Sequence, residues 1–252
     1  MKENNYKIGI LSGNALKIIA SVCMLIDHIG MIFFPAQAIF RKIGRIAFPI
    51  FAYFIAVGCN YTKNKIKHFF TIFILGALFQ LVFYIVENSL YLNVFLTFSV
   101  SILLIYLLQE FKRAVVKKYK TAKILFYGAL FVFGVILTYF LNERITFDGS
   151  FWGCMAPVFA SLFTFEKDLK EEKPLLSKFD FILLSVFMLG IGIILVAISL
   201  KQLQFYSLLS LPLLLLYSGE RGKLNIKYFF YFFYPSHFVI LYAIQLLLNY
   251  LR

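Results

Sequence analysis

The chain has 252 residues, of which 62% are hydrophobic and only 15% charged. That balance excludes an ordinary soluble domain, where about a quarter of residues carry charge, and leaves a polytopic membrane protein. The formal net charge of +13 lies in short segments between apolar runs, as positive-inside loops do, so it points to no nucleic-acid partner.

Charge-free apolar runs long enough to cross hydrocarbon predict nine spans, at 15–35, 46–62, 68–86, 90–109, 122–141, 151–165, 180–200, 203–218 and 228–250. The first run is too long for a signal-peptide core and no small-residue cleavage site follows it, so it is expected to stay as a span. The sixth and eighth runs are short and are expected to be less tilted or re-entrant. No repeat, low-complexity tract or dividing linker interrupts the chain. The expected fold is therefore all-α, a single transmembrane helical domain over 1–252 with its N-terminus in the cytoplasm. With that orientation 19 of the 25 Lys and Arg residues fall on the inner side.

The first span, "ASVCMLIDHIGMIFF" at 20–34, carries Asp27 and His28 in the middle of apolar sequence. A charge at the bilayer centre costs roughly 2.5 to 3.5 kcal/mol on insertion scales, so both residues should face protein. Lys17 marks the inner edge of this helix. Eleven steps of about 100° bring Lys17 and His28 to one face, with a rise of about 16 Å, near half the hydrocarbon thickness. Neighbouring residues on a helix point about 100° apart, so Asp27 is not placed to orient His28. It is expected to pair across helices, with Arg45 or His237.

After the first span, "FRKIGRIAFP" puts Arg41, Lys42 and Arg45 on the outer side, against the positive-inside trend. Two readings stand: headgroup anchoring by snorkelling side chains, or an arginine that meets a carboxylate, a phosphate or Asp27. His68 lies at an inner loop edge and reads as solvated or anchoring. The run "KRAVVKKYKTAK", 112–123, is a basic inner loop, and "EKDLKEEKP", 166–174, a solvated one of mixed charge. "SGERGK", 218–223, supplies two glycines, Arg221 and Lys223 just before the last span. In that span His237 lies ten residues beyond Lys227, a depth of about 15 Å that matches His28. Pro235 removes one backbone donor beside it and Ser236 adds a hydroxyl, polarity that is tolerated only next to protein or water. Cys23, Cys59 and Cys154 are far apart in apolar context, with no metal-ligand spacing, and read as packing residues.

Three blocks, "ALKIIASVCMLIDHIGMIFFP", "RKIGRIAFPIFAYFIAVGCNYTKN" and "LLLLYSGERGKLNIKYFFYFFYPSHFVILY", resemble the TraX family. "NVFLTFSVSILL" and "FDGSFWGCMAPVFASLF" add to the likeness, which spans nearly the whole chain. The resemblance implies acetylation chemistry, since TraX of conjugative plasmids acetylates the pilin N-terminal amine. Lys17-x10-His28 is also similar to the R/K-x10-H signature in the first helix of acyltransferase-3-type membrane acyltransferases. "FPIFAYFIAVG", 48–58, is similar to their second-helix motif, with Val57 where a Ser ordinarily precedes the Gly. Those enzymes pass acyl groups from a cytosolic donor, commonly acetyl-CoA, to an acceptor across the membrane.

The resemblance implies a multi-pass protein of a bacterial cytoplasmic membrane that uses acetyl-CoA, and the sequence supplies matching parts. Acyl transfer needs a base or nucleophile, oxyanion stabilisation and sites for two substrates. His28 is the expected base or nucleophile, with Asp27, Arg45 and His237 as its polar surroundings. Lys17, Arg221 and Lys223 are the expected coenzyme A contacts, since arginine pairs with phosphate in a fork and helix N-termini favour anions. The 112–123 loop is the other phosphate candidate. No metal site is expected. The acceptor would be an exported peptide or pilin amine, or a surface-glycan hydroxyl. The competing classes are a permease that relays protons through Asp27, His28 and Arg45, and a non-catalytic membrane assembly factor. The charge distribution makes one prediction directly. A cysteine introduced between 117 and 120 should be labelled only from the cytoplasmic side of intact cells, and labelling by an impermeant outer reagent would overturn the orientation.

Overall fold

A computed structural model describes residues 9–87, 91–164, 178–200, 202–223 and 226–251. The loop 166–174 and the basic residues Lys2, Lys7, Lys167, Lys170, Lys173, Lys201 and Arg252 lie outside them. Regular structure among the described residues is helical: α1 Gly13–Phe33, α2 Ala38–Gly44, α3 Ala47–Tyr61, α4 Lys65–Glu87, α5 Val94–Val116, α6 Thr121–Arg144, α7 Ser150–Ser161, α8 Lys178–Leu200, a 3-10 helix Gln202–Leu209, α9 Ser210–Leu215 and α10 Lys227–Tyr250. The chain groups into two compact units, one of residues 1–51 and 201–252 and one of 52–200.

Among the described residues, seven stretches are long and apolar enough to cross a membrane: Gly13–Phe33, Ala38–Tyr61, Lys65–Ile85, Val94–Val116, Thr121–Arg144, Phe181–Leu200 and Phe229–Tyr250. The protein is a multi-pass helical membrane protein. Seven of the nine predicted spans correspond to these stretches. The other two take a different form. The run at 151–165 becomes the 12-residue α7 with Pro157 inside it, and 203–218 becomes the 3-10 helix followed by six-residue α9. Twelve residues rise only about 18 Å, well short of about 30 Å of hydrocarbon. An apolar helix of that length is a core element instead, and α7 buries Gly153, Cys154, Ala156, Val158 and Ala160. All three cysteines are buried and unpaired by disulfide, as packing residues are.

In the first unit, α1 packs against α2 and α10, and the 3-10 helix packs on α2. Ser12 starts α1 by accepting a hydrogen bond from the Ala15 amide at 3.2 Å, an N-cap of the usual kind. The segment before α1 lies along 216–221: Leu11 pairs with Tyr217 in an isolated bridge, and the Gly13 and Asn14 amides donate to the Glu220 and Arg221 carbonyls at 2.8 and 2.9 Å. Gly222 adopts φ +94°, and a Cβ there would meet Ser12 Oγ at 2.7 Å, so this loop can close only around glycine. In the second unit α5 packs on α4, α6 and α7, and α7 on α8. Small residues let backbones approach: a Cβ on Gly192 would meet Ala156 at 3.1 Å.

The α1–α2 corner is the tightest part of the first unit. Between the helices, residues 34–37 reverse the chain, with Pro35 unable to continue α1. Phe34 and Phe40 stack across the turn, with ring centroids 5.2 Å apart and planes 8° from parallel. Gly30 lies against the Phe40 side chain and Gly44 against the Asp27 side chain, each so closely that a Cβ would overlap it. Gly44→Ala should therefore displace Asp27 and lower stability by about 1–3 kcal/mol. Gly58→Ala, whose Cβ would meet only His68 at 3.8 Å, should stay within about 0.5 kcal/mol of the parent. Thermal unfolding of the two variants in one detergent checks the difference.

Candidate functional site

The first unit gathers five polar side chains from α1, the α2 segment and α10. Asp27, one and a half turns before the end of α1, faces the short helix that folds back on it. Arg41 Nη1 donates to Asp27 Oδ2 at 2.8 Å, and Arg45 Nη2 lies 3.6 Å from Asp27 Oδ1. Arg45 Nε also donates to the Arg41 carbonyl at 3.3 Å. Positions 41 and 45 are four residues apart, which puts both guanidinium groups on one face. The expected partner of Asp27 is Arg45 or His237. The shortest contact is to Arg41, Arg45 stands second, and His237 bonds elsewhere. Lys42, on another face, sits over the Tyr206 ring at 4.9 Å.

His28 points away from this ion pair, as the 100° step between neighbours requires. Its Nδ1 lies 2.8 Å from His237 Nε2. The rings are 4.9 Å apart and inclined by 31°. His237 Nδ1 in turn donates to the Phe233 carbonyl at 2.7 Å, and Ser236 Oγ donates to the same oxygen at 3.3 Å. Phe233 stacks on His237 at 5.0 Å with planes 13° apart, and Tyr234 meets its ring edge-on at 5.7 Å. Phe238 presents its ring edge-on to His28 at 5.7 Å. His237 is 5% exposed, whereas His28 is half-buried. Among the described residues, His28 Nε2 makes no hydrogen bond.

Lys17, Arg221 and Lys223 lie at the other end of α1. Lys17 is half-buried with its Nζ 5.9 Å from the Phe230 ring centre, and it feels the charge of Arg221. Arg221 and Lys223 are exposed. At α1 the Glu220 and Arg221 carbonyls take the Gly13 and Asn14 amides. The last helix, at whose entry the loop was expected to favour an anion, begins at Lys227 beyond residues 224 and 225, which lie outside the described residues.

Two features escaped sequence reasoning. Arg41 stood only among the arginines that could meet Asp27 and was not named as its partner, although its i,i+4 spacing to Arg45 was the signal for a shared partner. The second is a polar cluster in the 52–200 unit. His68, expected to be solvated, bonds through Nδ1 to Tyr106 Oη at 2.7 Å. Lys65 and Arg113 pair with Glu110 at 2.9 and 3.3 Å. Gln109 donates to Asn60 at 3.0 Å and Asn60 to Thr164 at 2.7 Å. Within 112–123, Lys112 donates to the Thr164 carbonyl at 3.0 Å. Lys117, Lys120 and Lys123 remain on the surface side of that run. Among the described residues no group of three or more His, Cys, Asp or Glu side chains is placed to hold a metal ion.

The TraX protein family model matches residues 12–245, a range that includes every site residue named above. An uncharacterized protein of Rickettsia prowazekii (strain Madrid E) is 43% identical over 67 residues, 26% of this chain and 25% of that relative. The chain thus matches about a quarter of that relative's length. No solved structure matches the chain.

The asymmetry of the ion pair is measurable. Arg41→Met leaves the Asp27 carboxylate without its short hydrogen bond and should cost about 1–3 kcal/mol. Arg45→Met removes a longer contact and should cost about 1 kcal/mol or less. Equal losses in thermal unfolding would overturn the asymmetry, and a larger loss at Arg45 would make Arg45 the main partner.

Proposed function

The chain belongs to the TraX family, and from that membership together with the hydrogen-bonded His28–His237 pair we propose that it is a membrane-bound acetyltransferase. It would move an acetyl group from cytosolic acetyl-CoA to an amine or hydroxyl acceptor, a peptide N-terminus or a surface glycan, at a bacterial cytoplasmic membrane. The observation that carries the reading is the pairing itself. Two imidazoles from opposite ends of the sequence meet at 2.8 Å in apolar helices, where polar groups are costly unless functional.

The geometry supports a role for each residue in this reading. His28 is the ring with open surface, so it meets the substrates. As general base it takes the proton of the acceptor N–H or O–H while that atom attacks the thioester carbonyl. The tetrahedral oxyanion needs fixed positive charge nearby. Arg41 and Arg45 face one carboxylate, so the cluster carries a surplus of one positive charge beside His28. Asp27 holds the two arginines in place and does not touch His28. When the carbon–sulfur bond breaks, the proton passes from His28 to the coenzyme A thiolate. Acetyl-CoA and an acceptor X–H thus become the acetylated acceptor and coenzyme A, with the imidazole restored. Lys17, Arg221 and Lys223 supply the phosphate contacts at the N-terminal end of α1, the cytoplasmic end in the expected orientation.

His28→Ala should abolish transfer while the protein remains inserted and folded. The test is purified protein with labelled acetyl-CoA, and mass spectrometry of exported peptides and surface polymers for the added mass of an acetyl group. A permease would neither hydrolyse nor exchange the label. A polar clamp between helices would instead lose thermal stability with activity per folded molecule retained. A folded, fully active His28→Ala protein would end the catalytic reading.

A further inference from the structure

The direction of the hydrogen bonds fixes more than the contact. The Phe233 carbonyl can only accept, so His237 Nδ1, at 2.7 Å, carries a proton. With both rings uncharged, His237 then has no proton on Nε2, and that atom can only accept. The 2.8 Å contact therefore needs the proton on His28 Nδ1. The lone pair of His28 is left on Nε2, the nitrogen that makes no hydrogen bond among the described residues. With both rings uncharged, the order runs from the Phe233 carbonyl through His237 to His28.

We infer that His237 is a positioning and proton-relay residue that sets the His28 tautomer, holds its Nε2 lone pair toward substrate, and accepts the His28 Nδ1 proton during transfer. The inference rests on the acyl-transfer reading above and adds a task for the second ring. His237 suits that task because it is itself immobilised: Phe233 fixes it through both the backbone carbonyl and the stacked ring, and Tyr234 closes its edge. Being 5% exposed, it acts through His28. When His28 Nε2 takes the attacking group's proton, the Nδ1 proton moves to His237 Nε2, and the positive charge lies on the ring farther from the reacting carbon. As the carbon–sulfur bond breaks, the proton on His237 Nε2 returns to His28 Nδ1 and the proton on His28 Nε2 goes to the thiolate. Both rings end uncharged, as they began. The device substitutes a neutral imidazole backed by a peptide carbonyl for the carboxylate that orients histidine in other hydrolytic and transfer sites. Asp27 cannot serve there, since its carboxylate is taken by Arg41.

The test reads the tautomers directly, in the full chain labelled with 15N-histidine in detergent micelles, and reads turnover as acetate released from labelled acetyl-CoA with water as acceptor. The native protein should show His28 protonated on Nδ1 and His237 protonated on Nδ1. In His237→Phe, which keeps the ring stack but offers no acceptor, His28 should lose its Nδ1–H preference. Turnover should fall by about 100-fold in kcat with little change in KM. In His237→Gln, whose amide oxygen can accept from His28 and whose NH2 can reach the Phe233 carbonyl, the tautomer should persist. Its kcat should lie between the two, because the amide cannot take the proton. If the Phe variant does not fold, the native tautomers and the Gln variant still decide. A native His28 with its proton on Nε2, or a folded His237→Phe protein with parental kcat, would overturn the relay. The expected tautomers in a protein that neither hydrolyses nor transfers acetyl would overturn the acyl-transfer reading and with it the relay's task. A working transferase with the wrong His28 tautomer would overturn the relay alone.

Discussion

A carboxylate in an apolar helix must be neutralised by a neighbour, and Asp27 is neutralised by folding α2 back onto α1. That single requirement arranges the rest of the first unit. The return needs a reversal at 34–37, a stacked Phe34–Phe40 pair to close it, and glycines at 30 and 44 where the two helices touch. In the expected orientation the arginines come from a segment that the positive-inside trend would keep clear of cations. Their contacts with Asp27 give a reason for cations there in that orientation. Lys42 takes no part in that ion pair and lies over the Tyr206 ring instead. The charge is partly exposed on the arginine side and more enclosed on the aspartate side, so the pair holds two helices together without being sealed in the interior.

With Asp27 spent on α2, the next side chain is free to face elsewhere. His28 turns by one residue step toward α10 and finds His237. The two halves of the site are thus built on adjacent residues of one helix, one half ionic and one half neutral. The ionic half gives fixed positive charge. The neutral half gives a nitrogen whose lone pair is directed. Acyl transfer needs both, in different places, and a helix separates them by about 100° at no cost in backbone strain.

Much of this was legible in the sequence, because hydropathy and depth are one-dimensional properties. Runs of apolar residues located the seven long stretches, and counting from Lys17 and Lys227 gave His28 and His237 a common depth. What counting could not give was azimuth and length in context. The run at 151–165 read as a span because its composition is that of one, but α7 stops at Ser161 and packs inside the 52–200 unit. Arg45, one of the two expected partners of Asp27, does pair with it, but the shorter contact to Arg41 was not singled out, because a helix of only seven residues fixes its rotation through the turn before it, which sequence does not specify. For His68 the loop-edge position suggested solvation or anchoring, while its partner Tyr106, 38 positions later, was invisible to any local reading. The TraX likeness, by contrast, rested on blocks that bracket the chain, and the family match covers the same range.

The neutrality of the histidine half has a physical rationale of its own. In a low-dielectric setting a second carboxylate behind His28 would need its own cation, and the two arginines already share one aspartate. An imidazole backed by the Phe233 carbonyl adds orientation without adding charge to be desolvated. Its hydrogen bonds gain strength from the same apolar surroundings that make charge expensive. In the proposed transfer the chain would separate charge only transiently, when a proton leaves the acceptor, and recombine it when the thiolate departs. Membrane helices tolerate polar groups that satisfy one another. An arrangement of paired rings ending on a backbone carbonyl meets that condition at rest, and still leaves one nitrogen available for chemistry.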